Sequence, residues 1–254
     1  MKEPKIIFED EDMLVVDKPS GVTVNKSDTT HAEMTVQDWI EKVVSIKYLV
    51  SSIDRNSDFY KRAGIVHRLD KETSGILLVA KTPEAFVELQ KQFKERIVEK
   101  TYQALAHGEL APAEGEINVP VGRLEYNRKR FGVVAGGRDS VTYYKVISNF
   151  KYQIHSTSSG HAANEQLSLV ELYPKTGRTH QIRVHLKYLN HPVFADELYG
   201  GRKTARQDRK MLDRLFLHAA KISFLHPRTG EKVFFESKLA EDLERFLEYL
   251  EKSY

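Results

Sequence analysis

The sequence predicts an α+β protein: a central mixed, largely antiparallel sheet flanked by helices and loops, in one domain spanning 1–254. Three observations carry this expectation. Short apolar or alternating runs recur along the chain, several of them joined by tight turns. Stretches with apolar residues three or four apart lie between them, two with clear start signals. No repeat, low-complexity stretch or Pro/Gly/Ser-rich linker divides the 254 residues, a length that can bury one large core.

Taken in order, residues 6–16 read as a hairpin with Asp10, Glu11 and Asp12 near its turn, closed by Lys18-Pro19-Ser20-Gly21. Thr35 and Asp38 form a capping-box pattern ahead of Val36, Ile40, Val43 and Val44, which predicts a helix over about 36–47. Residues 48–64 read as a polar loop. Gly75–Ala80 is a continuous apolar run and reads as a buried strand. Thr82-Pro83-Glu84 then starts a helix to about 98 through Phe86, Leu89, Phe93 and Ile97. Strands are expected over 102–107, 141–148, 151–157 and 166–173, with a small polar, mobile loop over 158–164. Thr179 is expected to cap a helix over about 180–189, stopped by Asn190-His191-Pro192. Strands 216–225 and 232–236 flank the turn Pro227–Gly230. A last amphipathic helix carries Leu239, Leu243, Phe246, Leu247 and Leu250.

Composition narrows the chemistry. Apolar residues make up 41% and charged residues 30%, as in ordinary soluble proteins. The absence of cysteine excludes a disulfide framework, thiolate metal sites, iron–sulfur clusters and a cysteine nucleophile. The first residues carry no secretory or transit pattern, and no apolar run approaches the ~20 residues of a membrane span. A cytoplasmic location is expected.

The net charge of +3 permits nucleic-acid binding without arguing for it. Its distribution says more. Residues 173–214 hold ten Lys or Arg against four acids, and Arg123, Arg128, Lys129 and Arg130 cluster at 123–130. These cations are interleaved with His180, His185, Tyr188 and Tyr199. Such a mixture suits a phosphate backbone with some stacking, and it equally suits a solvated helix and loop face.

Two polar clusters stand out. His67-Arg68-Leu69-Asp70-Lys71-Glu72-Thr73-Ser74-Gly75 directly precedes the apolar strand, where sites are often built. Asp70 can serve there as nucleophile, as general base, or as a carboxylate capping a backbone N–H. Arg68 can hold Asp70 ionised or reach outward to a phosphate. In the second cluster, Thr176-Gly177-Arg178-Thr179 feeds a helix N-terminus, a natural anion site. His180, Arg183 and Lys187 are spaced for one helical face. His180 and His185 are five apart, not the i, i+4 of a zinc pair, so no metal is expected. Tyr102 on its own reads as a strand aromatic in the core. No P-loop, dinucleotide fingerprint or G-x-S-x-G elbow is present, and no nucleotide cofactor is implied.

HRLDKETSGILLVAKT (67–82) closely resembles the catalytic motif of RluA-type pseudouridine synthases. LYPKTGRTHQIRVHLKYLNHPVFADELYG (172–200) resembles their later arginine-bearing motif. EDEDMLVVDKPSGVTV (9–24), KTYQALAHGE (100–109) and FLHPRTGEKVFFES (224–237) match further landmarks in order. The resemblance spans nearly the whole chain and implies an enzyme that turns chosen uridines of ribosomal or transfer RNA into pseudouridine, with no cofactor. It implies that Asp70 is the catalytic aspartate, acting on the ribose or the base. It implies that Tyr102 stacks on the target base and helps with proton transfer, and that Arg183 pairs with Asp70. Arg68 is expected to enter the RNA stack and help evert the uridine, with His67, Thr73, Arg178 and His180 also on the substrate side. Many relatives carry an N-terminal RNA-binding module, for which no room is left before the first landmark. Recognition is then expected from the catalytic domain itself, through 123–130 and 202–214. A monomer is expected, and loop 156–165 is given no role. The competing readings are a non-catalytic RNA-binding or ribosome-assembly protein on the same fold, and a hydrolase of free nucleosides.

Overall fold

Alternation, capping and turn chemistry resolve into eleven strands and six helices in a computed structural model that describes residues 3–26, 33–43, 54–155 and 162–252. The strands are β1 (Lys5–Glu9), β2 (Met13–Lys18), β3 (Ser74–Ala80), β4 (Glu99–His107), β5 (Glu114–Asn118), β6 (Val121–Leu124), β7 (Asn127–Val133), β8 (Val141–His155), β9 (Ala162–Pro174), β10 (Leu217–Leu225) and β11 (Lys232–Glu236). The helices are α1 (Val36–Val43), α2 (Asp58–Lys61), α3 (Pro83–Glu95), α4 (Gln181–Tyr188), α5 (Arg202–Asp208) and α6 (Glu241–Lys252). The expected architecture of largely antiparallel pairing flanked by helices is borne out. Backbone packing groups the chain into two units, the first over 1–100 and 219–238, the second over 101–218 and 239–254.

In the first unit the strands run β1-β2-β3-β10-β11. The expected hairpin is β1–β2, with Asp10 at its turn taking the N–H groups of Asp12 and Met13 on Oδ1. β3 is buried at every position, as its unbroken apolar run requires. Thr82 Oγ1 accepts the Ala85 N–H at 3.1 Å and Pro83 opens α3, as the capping chemistry predicts. α3 stops sooner than expected: Arg96 adopts a left-handed φ of 63° and caps it, leaving Ile97 outside and partly exposed. Buried Gln92 ties α3 to β10 through both the N–H and the carbonyl of Leu225. The capping box closes as read, since Thr35 Oγ1 accepts from Asp38 N–H and the Asp38 carboxylate accepts from Thr35 N–H. The end of that helix at 44–47, and 48–53 of the expected loop, lie outside the described residues. The rest of the loop contains α2, capped by Ser57, because Phe59 is drawn into the core. Met13, Val15, Ile76, Leu78, Phe86, Leu89 and Phe224 form that core.

The second unit orders its strands β4-β9-β8-β5, with β6–β7 as a separate ribbon. β4 alternates faces: Ala104 and Ala106 pack with Val170, Ile182 and Leu186, while Leu105 packs with Phe194, Phe216, Phe246 and Leu250. The runs 141–148 and 151–157 are not two strands over their described part. They are one strand, β8, in which Ile147 bulges outward at 49% exposure and the ladder continues past it. β9 begins at Ala162, inside the stretch read as a loop; 156–161 lie outside the described residues. The expected helix starts at Gln181, not at a Thr179 cap. His180 takes a left-handed φ of 57°, and the Gln181 side chain accepts the Arg178 N–H instead. β5, β6, β7 and α5 are not announced by the sequence pattern. No helix among the described residues is long and apolar enough to cross a membrane.

Candidate active site

The residues of the first polar cluster follow an edge of β3. His67 Nε2 accepts the Leu78 N–H at 2.9 Å, and its ring lies 4.9 Å from that of Phe93. Desolvation, reinforced by the Lys100 ammonium, pushes its pKa down to about 3, so the ring is neutral. Arg68 is exposed, Leu69 is buried and Asp70 is half-buried. Thr73 is buried, and its N–H returns to the Asp70 carbonyl at 3.1 Å. Gly75 then re-enters β3 at φ 109°. A side chain there would meet the Ala219 carbonyl oxygen at 2.2 Å, so only glycine fits.

A second segment holds this loop from outside. Lys18 is fully buried, and its ammonium donates to the carbonyls of Pro19 (2.9 Å), Val22 (2.9 Å) and Lys71 (3.0 Å). Gly21 N–H also donates to Lys71 O, and Ser20 Oγ donates to Glu72 O. Three charge-assisted bonds offset the cost of burying the cation. Lys18-Pro19-Ser20-Gly21, expected only as a turn, thus also anchors the loop. The available signal was a lysine closing a strand whose first four residues are apolar.

In the second unit Tyr102 is half-buried on β4, packed against the cluster that contains Ala104 and Leu172. Arg183 is buried on α4 and paired bidentately with Asp196: Nε to Oδ2 at 2.7 Å, Nη2 to Oδ1 at 2.8 Å. Asp196 Oδ1 also accepts the N–H groups of Leu198 and Tyr199. Asp196 was not singled out from sequence, although it lies within the quoted arginine-bearing motif. The guanidinium lies 5.0 Å from the centre of the Tyr199 ring. Tyr199 Oη accepts the Phe131 N–H and shares a 2.8 Å hydrogen bond with His180 Nδ1, while Phe131 meets His180 edge-on. Arg123 in turn stacks over Phe131 at 5.1 Å. A cation–aromatic ladder thus leads from the basic β6–β7 ribbon to Arg183.

The expected common face of His180, Arg183 and Lys187 does not form. His180 precedes the helix, Arg183 is buried and Lys187 is exposed. Arg178 is half-buried, with Nε on the Asp139 carbonyl at 3.3 Å. His185 is buried; desolvation pushes its pKa to about 4. Elsewhere, Asp10, Asp12 and His226 hold metal-capable atoms within 4.8 Å of one another. His226 bonds Asp10, and Arg228 already sits 2.8 Å from Asp12, supplying the local cation.

The family model for RNA pseudouridylate synthase matches residues 12–188. The chain belongs to that family. As an RNA pseudouridine synthase it is an isomerase acting on RNA. It is 36% identical over 98% of its length to an uncharacterized RNA pseudouridine synthase of Bacillus subtilis, covering 73% of that protein. It is 38% identical over 96% of its length to the ribosomal large subunit pseudouridine synthase D of Neisseria meningitidis serogroup B, covering 60% of it. Among solved structures, human RNA pseudouridylate synthase domain containing 1 superposes with a TM-score of 0.65 at 26% identity. That match covers 98% of this chain and 95% of the human one.

Proposed function

We propose that this RNA pseudouridine synthase isomerises uridines of large-subunit ribosomal RNA, with Asp70 as its catalytic carboxylate. The observation that carries the reading is the loop 67–73, anchored through its backbone beside β3 while Arg68 is exposed and Asp70 half-buried. Names of relatives such as the Neisseria enzyme support the ribosomal target.

A uridine within a stack is unreachable, so it must be everted at a cost of a few kcal/mol. Arg68 enters the gap and meets phosphates. Asp70 acts on the ribose or the base as the C1′–N1 bond breaks. The uracil turns and rejoins through a C1′–C5 bond; the C5 proton is lost and N1 gains one, so the step is a net isomerisation. Tyr102 offers a flat stacking face and a hydroxyl for proton transfer. Arg183, its guanidinium oriented by Asp196, completes the catalytic set. Thr73, Arg178 and His180 shape the substrate side, and the basic ribbon at 123–130 carries part of the RNA. The whole chain works as a single catalytic domain, a cytoplasmic monomer without a cofactor.

The test is release of tritium from [5-³H]uridine-labelled ribosomal RNA that lacks the modification. Release by the wild type and none by Asp70→Ala, with RNA binding retained, is the expected result. Unchanged release by the variant would remove the carboxylate from the mechanism.

A further inference from the structure

We infer that His67 is a positioning residue for the reaction: by accepting the Leu78 N–H on Nε2, its imidazole fixes the point from which the Asp70 loop leaves β3. The inference rests on the reading of Asp70 as the catalytic carboxylate. It replaces the expectation that His67 belongs with the substrate-binding residues.

One edge of β3 is paired with β2 from Met13↔Ala80 to Lys18↔Gly75. On the opposite edge, residues 64–67 begin a ladder of their own. Ala80 N–H donates to the Gly64 carbonyl at 2.8 Å, and Ile65 forms an antiparallel bridge with Val79. Continued regularly, that ladder would bring the Val66 carbonyl to the Leu78 N–H. Instead the chain turns away, and the His67 ring nitrogen takes the position of the carbonyl at 2.9 Å. Leu78 is fully buried, so without this acceptor its N–H would be left unsatisfied.

The contact also defines the ring's chemistry. A nitrogen that accepts an N–H carries no proton, so the proton sits on Nδ1. Phe93, 4.9 Å away and tilted by 31°, sets the plane of the ring. A cation at this place would lose the acceptor, which excludes a phosphate-binding imidazolium. Asp70 is three residues on, so its Cα lies within about 11 Å of the anchored one. The far end of the loop is closed separately by Thr73 N–H on the Asp70 carbonyl. Small shifts at His67 are therefore passed to the carboxylate, and about 1 Å at a reacting group is worth roughly a hundredfold in rate.

The experiment compares wild type, His67→Phe, His67→Gln and Asp70→Ala in the tritium-release assay, with RNA Kd measured alongside. His67→Phe keeps a ring against Phe93 and removes the acceptor. Its kcat is expected to fall roughly 10- to 100-fold, while KM and RNA Kd stay within about twofold. His67→Gln, whose side-chain oxygen can take the same N–H, is expected to recover most of the rate. Weaker RNA binding at unchanged kcat would make His67 a substrate contact. Unchanged kcat and Kd per folded molecule would make the bond purely structural. Either result overturns the proposal. If His67→Phe does not fold, nitrogen-15 spectra of the wild-type imidazole decide. An Nδ1–H tautomer constant between about pH 5 and 8 is expected, and a ring titrating in that range overturns the proposal. Turnover surviving Asp70→Ala would sink the carboxylate's role, and this inference with it, whatever the His67 variants show.

Discussion

Replacing Asp196 by Asn alters one atom and its charge in a closely held buried pair of the second unit. The carboxylate is fully buried and accepts four N–H groups: Arg183 Nε and Nη2, and the backbone of Leu198 and Tyr199. An asparagine has one oxygen for these four donors. If the oxygen stays toward Leu198 and Tyr199, the new NH₂ faces Arg183 Nε across 2.7 Å, donor against donor. If it flips, two backbone N–H groups lose their acceptor. In both cases the buried Arg183 guanidinium loses the charge of Asp196, and breaking a buried pair costs about 3–5 kcal/mol. That is a large part of the 5–15 kcal/mol typical of a folded domain. Urea unfolding of Asp196→Asn is expected to show this loss. Tritium release per folded molecule should also fall roughly 10- to 100-fold, because Arg183 is no longer held in one orientation. The control is Arg183→Met with Asp196→Leu, which removes both charges and is expected to recover part of the stability, the Leu198 and Tyr199 N–H groups still lacking their acceptor, without activity. A single Asn variant within about 0.5 kcal/mol of wild type and fully active would refute the claim that this carboxylate sets Arg183.

Two further outcomes are expected. Desolvation pulls the His107 pKa down, but hydrogen bonds to Asp208 and Glu165 outweigh it and raise the value to about 9 from 6.5. The resulting stability, about 3 kcal/mol, is complete below pH 6.5 and is lost as pH rises to about 9. Urea unfolding at both ends of that window should show the fall in wild type and not in His107→Gln; equal slopes would remove His107 as the cause. For RNA binding, Arg202, Lys203, Arg206 and Lys210 are the exposed cations around α5, whereas Arg209 is tied to the Ala195 carbonyl; Lys203, Arg206 and Lys210 are the three to neutralise. Neutralising those three should flatten the salt slope of RNA binding by about 2, and an unchanged slope would place the RNA elsewhere.

What could be read from the sequence was local. Thr82-Pro83 announced α3 because capping involves residues three apart. β3 announced itself because a strand buried on both faces is apolar throughout. The Asp70 cluster was visible as a density of charge beside that strand. Lys18 and Asp196 were not visible as anchors, because their partners are set by tertiary packing: Lys18 reaches Lys71 across 53 positions and Asp196 reaches Arg183 across 13. The ribbon β6–β7 was hidden because its strands carry arginines and glycines and pack mainly through Val121 and Phe131. His180 shows a subtler limit. Its left-handed φ is strained for a non-glycine residue, and its ring bonds Tyr199. Nothing in the spacing Thr179-His180-Gln181 betrays that conformation.

The anchors of the Asp70 loop have a common property. Lys18 and Gly21 hold the Lys71 carbonyl, Ser20 holds the Glu72 carbonyl, Thr73 N–H holds the Asp70 carbonyl, and His67 holds the N–H of Leu78. Every one of these bonds ends on a backbone atom, and none of the first four uses a side chain of the loop segment 68–72. Holding the seven-residue loop 67–73 in one conformation costs on the order of 1–2 kcal/mol per residue, so it needs fixing by something. Fixing it through the main chain sets the backbone on both sides of Asp70. A catalytic carboxylate benefits from such an arrangement. For the carboxylate proposed to act on the nucleoside, main-chain bonds at Lys71 and Glu72 fix the backbone that carries it.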